Sequence, residues 1–229
     1  MKSSLCIICA RAGSQQIKNK ALVKIENRPL ISYTIKQAIK SKIFSEVIVS
    51  TDSTKIQKVA KFYGAKSWFL RPKNISSNNA SKLSAIRHAF IESEKFFKKK
   101  FDICFDLDVT SPLRKVSDIK EAYKKFKKGK YSNLFSVCEA KKNPYFNMVE
   151  KDKHGYTISK KNKQIFFSRQ KLPKVYEMNA SIYIFDRDYL LNEGKLIGKN
   201  TSIFLMPRER SIDIDDMFDL TLVKHLLNK

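Results

Sequence analysis

Apolar and polar positions along this chain alternate between two kinds of segment. Short runs rich in β-branched and aromatic residues recur between longer stretches in which apolar residues return every three or four positions. The short runs predict strands, and the longer stretches predict amphipathic helices. Their alternation is typical of the α/β class, so we expect a Rossmann-like, mostly parallel sheet with helices on both faces.

The predicted elements follow from this pattern and from the residues that start and stop helices. Strands are predicted at residues 5–10, 46–50, 66–70, 103–107, 134–138, 181–185 and 202–206. Helices are predicted at residues 30–41 after Pro29, from Asp52 or Ser53 to about Tyr63 with Gly64 as the stop, at 82–97, around 119–126, and at 216–227.

Residues 139–178 interrupt this rhythm. They are rich in Lys, Asn, Pro and aromatic residues and show only weak periodicity. We interpret the segment as an excursion from the main sheet that contributes to dimer contacts and to the substrate site. No repeat and no long linker divides the chain, so we expect one domain over residues 1–229 and a homodimer.

The composition favours a soluble, folded protein. Hydrophobic residues make up 42% and aromatic residues 11% of the 229 positions, and no apolar run approaches the roughly 18 residues of a membrane span. The apolar run at residues 5–10 is shorter than the core of a signal peptide and passes directly into polar residues. We therefore expect a cytoplasmic protein without a membrane partner.

The strong positive charge does not by itself indicate a nucleic-acid partner. The formal net charge is +24, but 37 of the 46 basic residues are Lys and only 9 are Arg. Base reading and planar phosphate recognition favour Arg. Several Lys residues flank the apolar stripe of the predicted helix around 119–126, where they would face solvent. We interpret much of the charge as solvated helix faces and expect no nucleic-acid partner.

The four cysteines are predicted to be reduced core residues. Cys6 and Cys9 form a C-x-x-C pair, but on a strand their odd separation points the two side chains to opposite faces. No second Cys or His pair with zinc spacing follows them. We therefore favour buried thiols over a redox or zinc motif.

The residues that follow the first predicted strand are candidates for phosphate binding. Ligands of parallel sheets bind beyond the carboxyl ends of the strands, and this position holds Arg11, Gly13, Ser14, Lys18 and Lys20. Gly13 would let a ligand approach the backbone closely, while the cations and backbone N–H groups would bind phosphate. The spacing is neither that of a Walker P-loop nor G-x-G-x-x-G, so a plain connecting turn remains an equal alternative.

Two pairs of carboxylates, each separated by one residue, are candidate Mg²⁺ ligands. Asp106 and Asp108 share a face at the end of a predicted strand, where they would hold Mg²⁺ or bind loop N–H groups. Asp213 and Asp215 share a face of a short extended piece before the last helix. Capping that helix needs one acid, from Asp215 or Asp216, so the surplus carboxylates favour an Mg²⁺ site.

Three further polar positions bear on the predicted site. Arg71 extends the polar rim after the third predicted strand, whereas Asp52 is interpreted chiefly as a helix cap. Arg169, beside Gln170 in the excursion, is either an ordinary surface arginine or an anion-binding residue that reaches the cleft. The three His residues show no spacing of metal ligands, so none is assigned a role.

Several short motifs occur in one order along the chain. Residues 10–21 read A-R-A-G-S-Q-Q-I-K-N-K-A, and the later motifs are Ser50-Thr51-Asp52, Arg71-Pro72, Thr110-Ser111-Pro112-Leu113-Arg114, Arg169-Gln170, Asn179-Ala180-Ser181-Ile182-Tyr183 and Asp213-Ile214-Asp215. Over essentially the whole chain this set resembles the acylneuraminate cytidylyltransferase family, which activates nonulosonic acids with CTP and whose first motif is A-R-x-G-S-K-G-x-x-x-K-N. Residues 106–108, 143–147 and 176–181 most resemble its legionaminic acid branch.

The resemblance implies a fold of the nucleotide-diphospho-sugar transferase type and a role for each matching residue. CTP would be held by Arg11, Gly13, Ser14, Lys18, Lys20, Arg71, Lys82 and Asp108. The sugar acid would contact Asn147, Arg169, Gln170, Asn179 and Tyr183. Mg²⁺ would bind Asp213 and Asp215, which with Arg11 and Lys20 would form the catalytic set.

The implied reaction transfers CMP from CTP to the anomeric 2-hydroxyl of a legionaminic-acid-like sugar acid and releases pyrophosphate. Three residues depart from the family motif, since Gln15 replaces a Lys, Gln16 a Gly and Ala21 an Asn. Losing a directly bound cation would weaken phosphate binding by about 1–3 kcal/mol, which Lys18 would partly offset. Two alternatives are a nucleotidyltransferase for another sugar acid or a sugar 1-phosphate, and a non-catalytic nucleotide- or nucleic-acid-binding protein.

Overall fold

The central sheet is mixed and mostly parallel, as the sequence predicts. The computed structural model describes residues 2–13, 16–77, 80–153, 155–158 and 168–228, without the side chains of Asp152 and Arg169. Its strands are β1 (Ser4–Cys9), β2 (Lys24–Ile25), β3 (Arg28–Pro29), β4 (Glu46–Ser50), β5 (Ile103–Leu107), β6 (Asn133–Glu139), β7 (Val149–Asp152), β8 (Gly155–Ile158), β9 (Tyr176–Asp186) and β10 (Thr201–Leu205). The central order is β10-β6-β9-β5-β1-β4.

Only β9 runs against its neighbours among the central strands of the described chain. β1 is parallel to β4 and β5, and β6 is parallel to β10, whereas β9 is antiparallel to β5 and β6. The carboxyl ends of β1, β4 and β5 therefore lie along one edge of the sheet, where the polar segments predicted for the site begin.

Helices cover both faces of this sheet. They are α1 (Leu30–Ser41), α2 (Thr54–Phe62), α3 (Lys82–Phe97), α4 (Val116–Gly129), α5 (Arg187–Asn192) and α6 (Met217–Leu227). Apolar residues of α1, α2, α4 and α6 pack on one face, and those of α3 and α5 pack on the other. Among the described residues, no helix combines the length and apolarity that crossing a bilayer requires.

Alternation along β1 explains both cores and the cysteines. Cys6 and Ile8 belong to the core beneath α1, whereas Ile7 and Cys9 contact the core beneath α3. The two thiols of the C-x-x-C pair thus point to opposite faces, and all four cysteines are free. The predicted orientation of the C-x-x-C pair is confirmed.

Helix boundaries follow the predicted caps closely. The Ser53 hydroxyl accepts a hydrogen bond from the Ile56 N–H at the start of α2, and Gly64 ends that helix with a φ of +94°. The Asp216 carboxylate accepts from the N–H groups of Phe218 and Asp219 at the start of α6. Asp216 is therefore the cap of the last helix, which leaves Asp213 and Asp215 available for other contacts.

The strand predicted at residues 66–70 is wrong. Lys66 forms an isolated parallel bridge with Ile48, after which the chain leaves the ladder. Trp68 stacks on Phe96 of α3, with ring centroids 4.2 Å apart, and its neighbour Phe69 also packs against the α3 core. The aromatic residues that suggested a strand thus serve packing between a loop and a helix.

The excursion contains a short hairpin. β7 and β8 pair antiparallel from Val149–Ile158 to Asp152–Gly155, outside the central sheet. β6 extends to Glu139 and β9 begins at Tyr176, so the two strands frame the segment predicted at 139–178. Residues 159–167 lie outside the described part of the chain.

Candidate functional site

A pocket of about 350 Å³ opens where the carboxyl ends of β1 and β5 meet the start of α3. Seven residues predicted from the sequence line it: Arg11, Lys20, Arg71, Lys82, Asp108, Asp213 and Asp215. They come from five separate segments, and the topology brings them together because adjacent parallel strands end at the same edge. Cys9, Ala21 and Thr110 also line the pocket.

Lys20 joins the first loop to the segment before α6. Its Nζ donates hydrogen bonds to the carbonyl oxygens of Ile214 at 2.6 Å and Asp215 at 3.2 Å. The Ile214 N–H in turn donates to the Thr110 carbonyl at 2.9 Å. The Asp215 carboxylate is 3.7 Å from Lys20 Nζ but mostly exposed, so the cation is held chiefly by neutral oxygens.

The two arginines of the pocket are also held by neutral oxygens. Arg11 Nη1 donates to the Ser77 carbonyl at 2.9 Å, and Arg71 Nε donates to the Ser76 hydroxyl at 3.1 Å. The Arg71 backbone N–H donates to the Thr51 carbonyl at 2.7 Å, which fixes this loop against the end of β4. Because these contacts leave the positive charges uncompensated, both side chains are suited to an anionic ligand.

Asp52 has a different role from the predicted helix cap. Its Oδ1 accepts a hydrogen bond of 2.8 Å from the Ala12 N–H, whereas Ser53 caps α2. The earlier interpretation is wrong because a loop 40 residues away competes for the carboxylate. Asp52 therefore fixes the loop after β1, a contact that sequence spacing alone does not reveal.

The other residues predicted to bind phosphate in the loop after β1 do not all lie at the pocket. Gly13 has no left-handed backbone, and a Cβ built on it would meet no atom within 4 Å. The described residues thus show no packing reason for glycine there, and the position is open to close approach of a ligand. Lys18 is exposed and is not among the pocket residues. Ser14 and Gln15 lie outside the described residues.

Asp213 carries a carboxylate oxygen that is suited to a cation. Its Oδ1 is buried and accepts no hydrogen bond in the described structure. Burial, with a smaller contribution from nearby Asp108, raises the pKa of Asp213 from 3.8 to about 6. The ionised form is therefore only partly compensated in the ligand-free protein.

Asp106 and Asp108 share a face, as predicted, but both lie against Lys82. Lys82 Nζ is 2.8 Å from Asp106 Oδ2 and 2.6 Å from Asp108 Oδ2. Burial raises the pKa of Asp106, and Lys82 only partly opposes this. Burial would also raise the pKa of Asp108, but Lys82 and hydrogen bonds from Thr110 hold it below its usual value.

Arg114 is a buried anchor of the site. It belongs to the motif at residues 110–114, but the sequence alone indicates no role for it. It is 1% exposed, and its Nη1 donates to the Ser181 carbonyl at 2.6 Å. Its Nη2 donates to Thr34 Oγ1 at 3.2 Å and to the Asp108 carbonyl at 3.3 Å. Arg114 therefore ties α1, β9 and the Asp108 loop together.

Two residues predicted for the sugar acid lie beside the pocket. The Asn179 amide accepts from the Ser136 hydroxyl at 2.6 Å and donates to the Ser211 hydroxyl at 2.9 Å, so protein atoms engage both of its ends. Tyr183 is 7% exposed and places its ring 4.4 Å from Lys82 Nζ. Their direct contact with a sugar stays a prediction.

The excursion forms a second pocket of about 270 Å³. Asn147 lies there with Asn143 and Phe146 on one side and Leu172 and Pro173 on the other. Asn147 Oδ1 accepts a 2.7 Å hydrogen bond from the Asn143 N–H, which closes the turn between them. Gln170 is exposed and lines neither pocket, and the side chain of Arg169 lies outside the described part of the structure.

Comparison with known proteins identifies the family. The sequence pattern of the cytidylyltransferases matches residues 5–222. The chain belongs to the cytidylyltransferase family. The resemblance found in the ordered motifs is thereby confirmed at the level of the family.

Two named relatives match this cytidylyltransferase along nearly their whole length. It is 43% identical over 228 residues to CMP-N,N'-diacetyllegionaminic acid synthase of Campylobacter jejuni, covering 100% of this chain and 96% of that protein. It is 41% identical over 229 residues to post-translational flagellin modification protein B of Campylobacter coli, covering 100% and 97%. The fold is similar to that of CMP:2-keto-3-deoxy-manno-octonic acid synthetase solved with CTP, at 17% identity, TM-score 0.72 and coverage of 99% and 98%.

The variant Gly13→Ala tests whether Gly13 is needed for ligand binding or for folding. Because the backbone is unstrained and the position open, we expect the free energy of unfolding to change by less than about 1 kcal/mol. The KM for CTP should rise about tenfold, corresponding to about 1.4 kcal/mol, if phosphate lies against this backbone. Gly64→Ala is the matched control, since its φ of +94° predicts lost stability without a change in KM. Unchanged kinetics in Gly13→Ala would contradict a ligand role.

Asp213→Asn should stabilise the ligand-free protein at neutral pH. The pKa of Asp213 is raised to about 6, so ionisation costs stability as pH rises from about 4 to about 6, and this cost persists above pH 6. We expect a gain of about 1 kcal/mol at pH 7.5, reduced by partial solvent access, and none at pH 4. Urea unfolding at both pH values measures it. Asp215→Asn, at a mostly exposed site, should show little change, and equal effects of the two variants would contradict this account.

Proposed function

We propose that this cytidylyltransferase transfers CMP from CTP to the anomeric 2-hydroxyl of a nonulosonic acid related to legionaminic acid. Pyrophosphate is the second product. The observation that carries the proposal is a set of three cations in one pocket, Arg11, Lys20 and Arg71. They are held chiefly by neutral oxygens and share the pocket with the carboxylates of the segment before α6. The relative named CMP-N,N'-diacetyllegionaminic acid synthase supports the sugar class.

The cations account for triphosphate binding. Arg11 and Lys20 bind the phosphates and Arg71 the nucleotide, with close backbone approach at Gly13. Each of the three already has its orientation set by a neutral oxygen acceptor. Little reorganisation is then needed when the anion arrives, so charge stabilisation and positioning supply the rate enhancement. The 2-hydroxyl attacks the α-phosphorus directly, and no covalent enzyme intermediate is required.

Mg²⁺ fits the carboxylates that precede α6. Asp213 presents a buried oxygen without a partner, and Asp215 lines the same pocket. Among the described residues no group of three or more His, Cys, Asp or Glu is arranged to hold a metal, so Mg²⁺ would take its other ligands from the triphosphate and water. When bound, it would neutralise charge on the phosphates and the departing pyrophosphate.

The carboxylate of the sugar acid requires a cation other than those of the loop after β1, because an unpaired carboxylate in a cleft is strongly disfavoured. Arg169 is proposed for this role, with Gln170, Asn179 and Tyr183 around the sugar. The turn that contains Asn147 would shape the pocket for an acetamido substituent. The second pocket shows that the excursion offers a concave surface for such contacts.

We further propose a cytoplasmic homodimer without a nucleic-acid partner. The excursion supports the dimer, since it exposes apolar side chains of which Val149 and Tyr156 are 64% and 74% accessible. Exposed apolar side chains on a hairpin outside the central sheet are suited to self-association. The abundance of Lys over Arg supports the absence of a nucleic-acid role.

A substrate matrix tests the proposed function. Purified protein is given each of four nucleoside triphosphates with diacetyllegionaminic, pseudaminic, N-acetylneuraminic or 3-deoxy-octulosonic acid, and pyrophosphate is measured. We expect release with CTP and diacetyllegionaminic acid, with kcat/KM at least about tenfold above that for N-acetylneuraminic acid, because a site built for a second acetamido group leaves polar atoms unpaired without it.

The same matrix distinguishes the alternatives. Equal use of N-acetylneuraminic acid would contradict the legionaminic assignment alone. A sugar 1-phosphate is included as a further acceptor. Turnover with this acceptor alone would show that the acceptor is a sugar 1-phosphate and would contradict the sugar-acid assignment. No turnover together with tight, salt-sensitive RNA or DNA binding would contradict the whole proposal.

A further inference from the structure

The Lys82 ammonium lies between two carboxylates of the pocket. Its Nζ is within 2.8 Å of an oxygen from each of Asp106 and Asp108, and the Tyr183 ring centroid lies 4.4 Å away. We propose that Lys82 is a built-in cation for this carboxylate pair in place of a divalent metal ion, so that metal binding is confined to Asp213 and Asp215.

Burial explains why the pair needs a cation. Asp106 is fully buried and Asp108 is 19% exposed, and both project from the same face at the end of β5. Two like charges in this position repel each other and lose most of their hydration. The ammonium distances of 2.6 and 2.8 Å are those of charge-assisted hydrogen bonds, so Lys82 occupies the space between the carboxylates that a divalent ion would need.

The position of Lys82 in α3 supports the same conclusion. It is the first residue of the helix, and no acidic residue lies in the first turn. A positive charge is disfavoured at a helix N-terminus, where the partial charge of the backbone is also positive. The carboxylates, rather than the helix, therefore account for a lysine at this point.

The remaining contacts of Asp108 leave little room for a metal ion. Its Oδ1 accepts hydrogen bonds from the Thr110 N–H at 3.3 Å and the Thr110 hydroxyl at 3.1 Å. Its Oδ2 is engaged by Lys82, so an ion would have to displace one of these donors. Asp106 Oδ1 and Asp213 Oδ1 are both buried without a hydrogen-bond partner. Asp106 nevertheless pairs with Lys82, whereas Asp213 has no ion pair among the described residues.

Lys82 also stays charged. Burial would lower the pKa of Lys82, but the charges of Asp106 and Asp108 outweigh burial and hold it well above its usual value. The cation is therefore permanent over the pH range in which such a pocket works. Because two carboxylates already engage this ammonium, Lys82 does not contribute a phosphate-binding cation.

Mn²⁺ binding to ligand-free variants tests this proposal without CTP, a sugar or turnover. Mn²⁺ stands in for Mg²⁺ because both prefer carboxylate and water oxygens. Lys82→Met removes the ammonium and should create an additional Mn²⁺ site, detected by electron paramagnetic resonance, with Kd at least about tenfold lower than any site of the unaltered protein. Lys82→Arg keeps a cation and should gain no site. Lys82→Met/Asp106→Asn removes one carboxylate and should lose the gain.

Stability gives a second readout. Lys82→Met should lower Tm by several degrees, and millimolar Mn²⁺ should restore part of the loss. The matched control is Lys66→Met, which removes an ammonium 2.7 Å from Glu46 in a pair whose lysine is 53% exposed. This variant should lose little stability and show no rescue by Mn²⁺.

Asp108→Asn, with Lys82 retained, tests the proposal even where Lys82→Met does not fold. Because Asp108 does not hold the ion while Lys82 is present, this variant should lose far less Mn²⁺ affinity than Asp213→Asn, which removes a proposed ligand. A loss in Asp108→Asn as large as that in Asp213→Asn, or a folded Lys82→Met that gains no site, would overturn the proposal. Neither result bears on whether the protein uses CTP and a sugar acid, which the substrate matrix measures separately.

Discussion

The pocket depends on holding several cations close to carboxylates while leaving most of the positive charge available to a ligand. Three cations meet this constraint by donating hydrogen bonds to neutral oxygens: Arg11 to a carbonyl, Lys20 to two carbonyls and Arg71 to a hydroxyl. Lys82 alone, among the pocket cations of the described chain, lies between two carboxylates. One group is thereby compensated inside the protein, while the others keep their charge for a ligand.

Much of the fold could be predicted because local patterns and packing agree. The bounds of α1, β4, α3 and β5 match the sequence prediction, since each has a clear apolar period and a distinct start or stop. The strand expected at residues 66–70 fails for a tertiary reason. Trp68 and Phe69 have high strand propensity, but their rings find a partner surface on α3, and packing outweighs propensity.

Candidate site residues could be predicted where polar side chains directly follow a strand. Contacts between residues far apart in the sequence could not be predicted. Asp213 and Asp215 stand out by their spacing, and the first loop by its glycine and cations. The contact of Asp52 with Ala12 spans 40 positions, so a local capping rule gave the wrong partner. The role of Lys82 depends on residues more than 20 positions away, and sequence likeness suggested only that it lines the nucleotide site.

The location of the metal ion relative to Lys82 tests the central claim most directly. A crystal structure with CTP and Mn²⁺, with anomalous diffraction recorded for manganese, gives this location without reference to turnover. The account predicts an anomalous peak beside Asp213, the triphosphate against Arg11 and Lys20, and the Lys82 ammonium still between its carboxylates. A peak between Asp106 and Asp108 with Lys82 displaced, or a triphosphate bound away from this pocket, would contradict it.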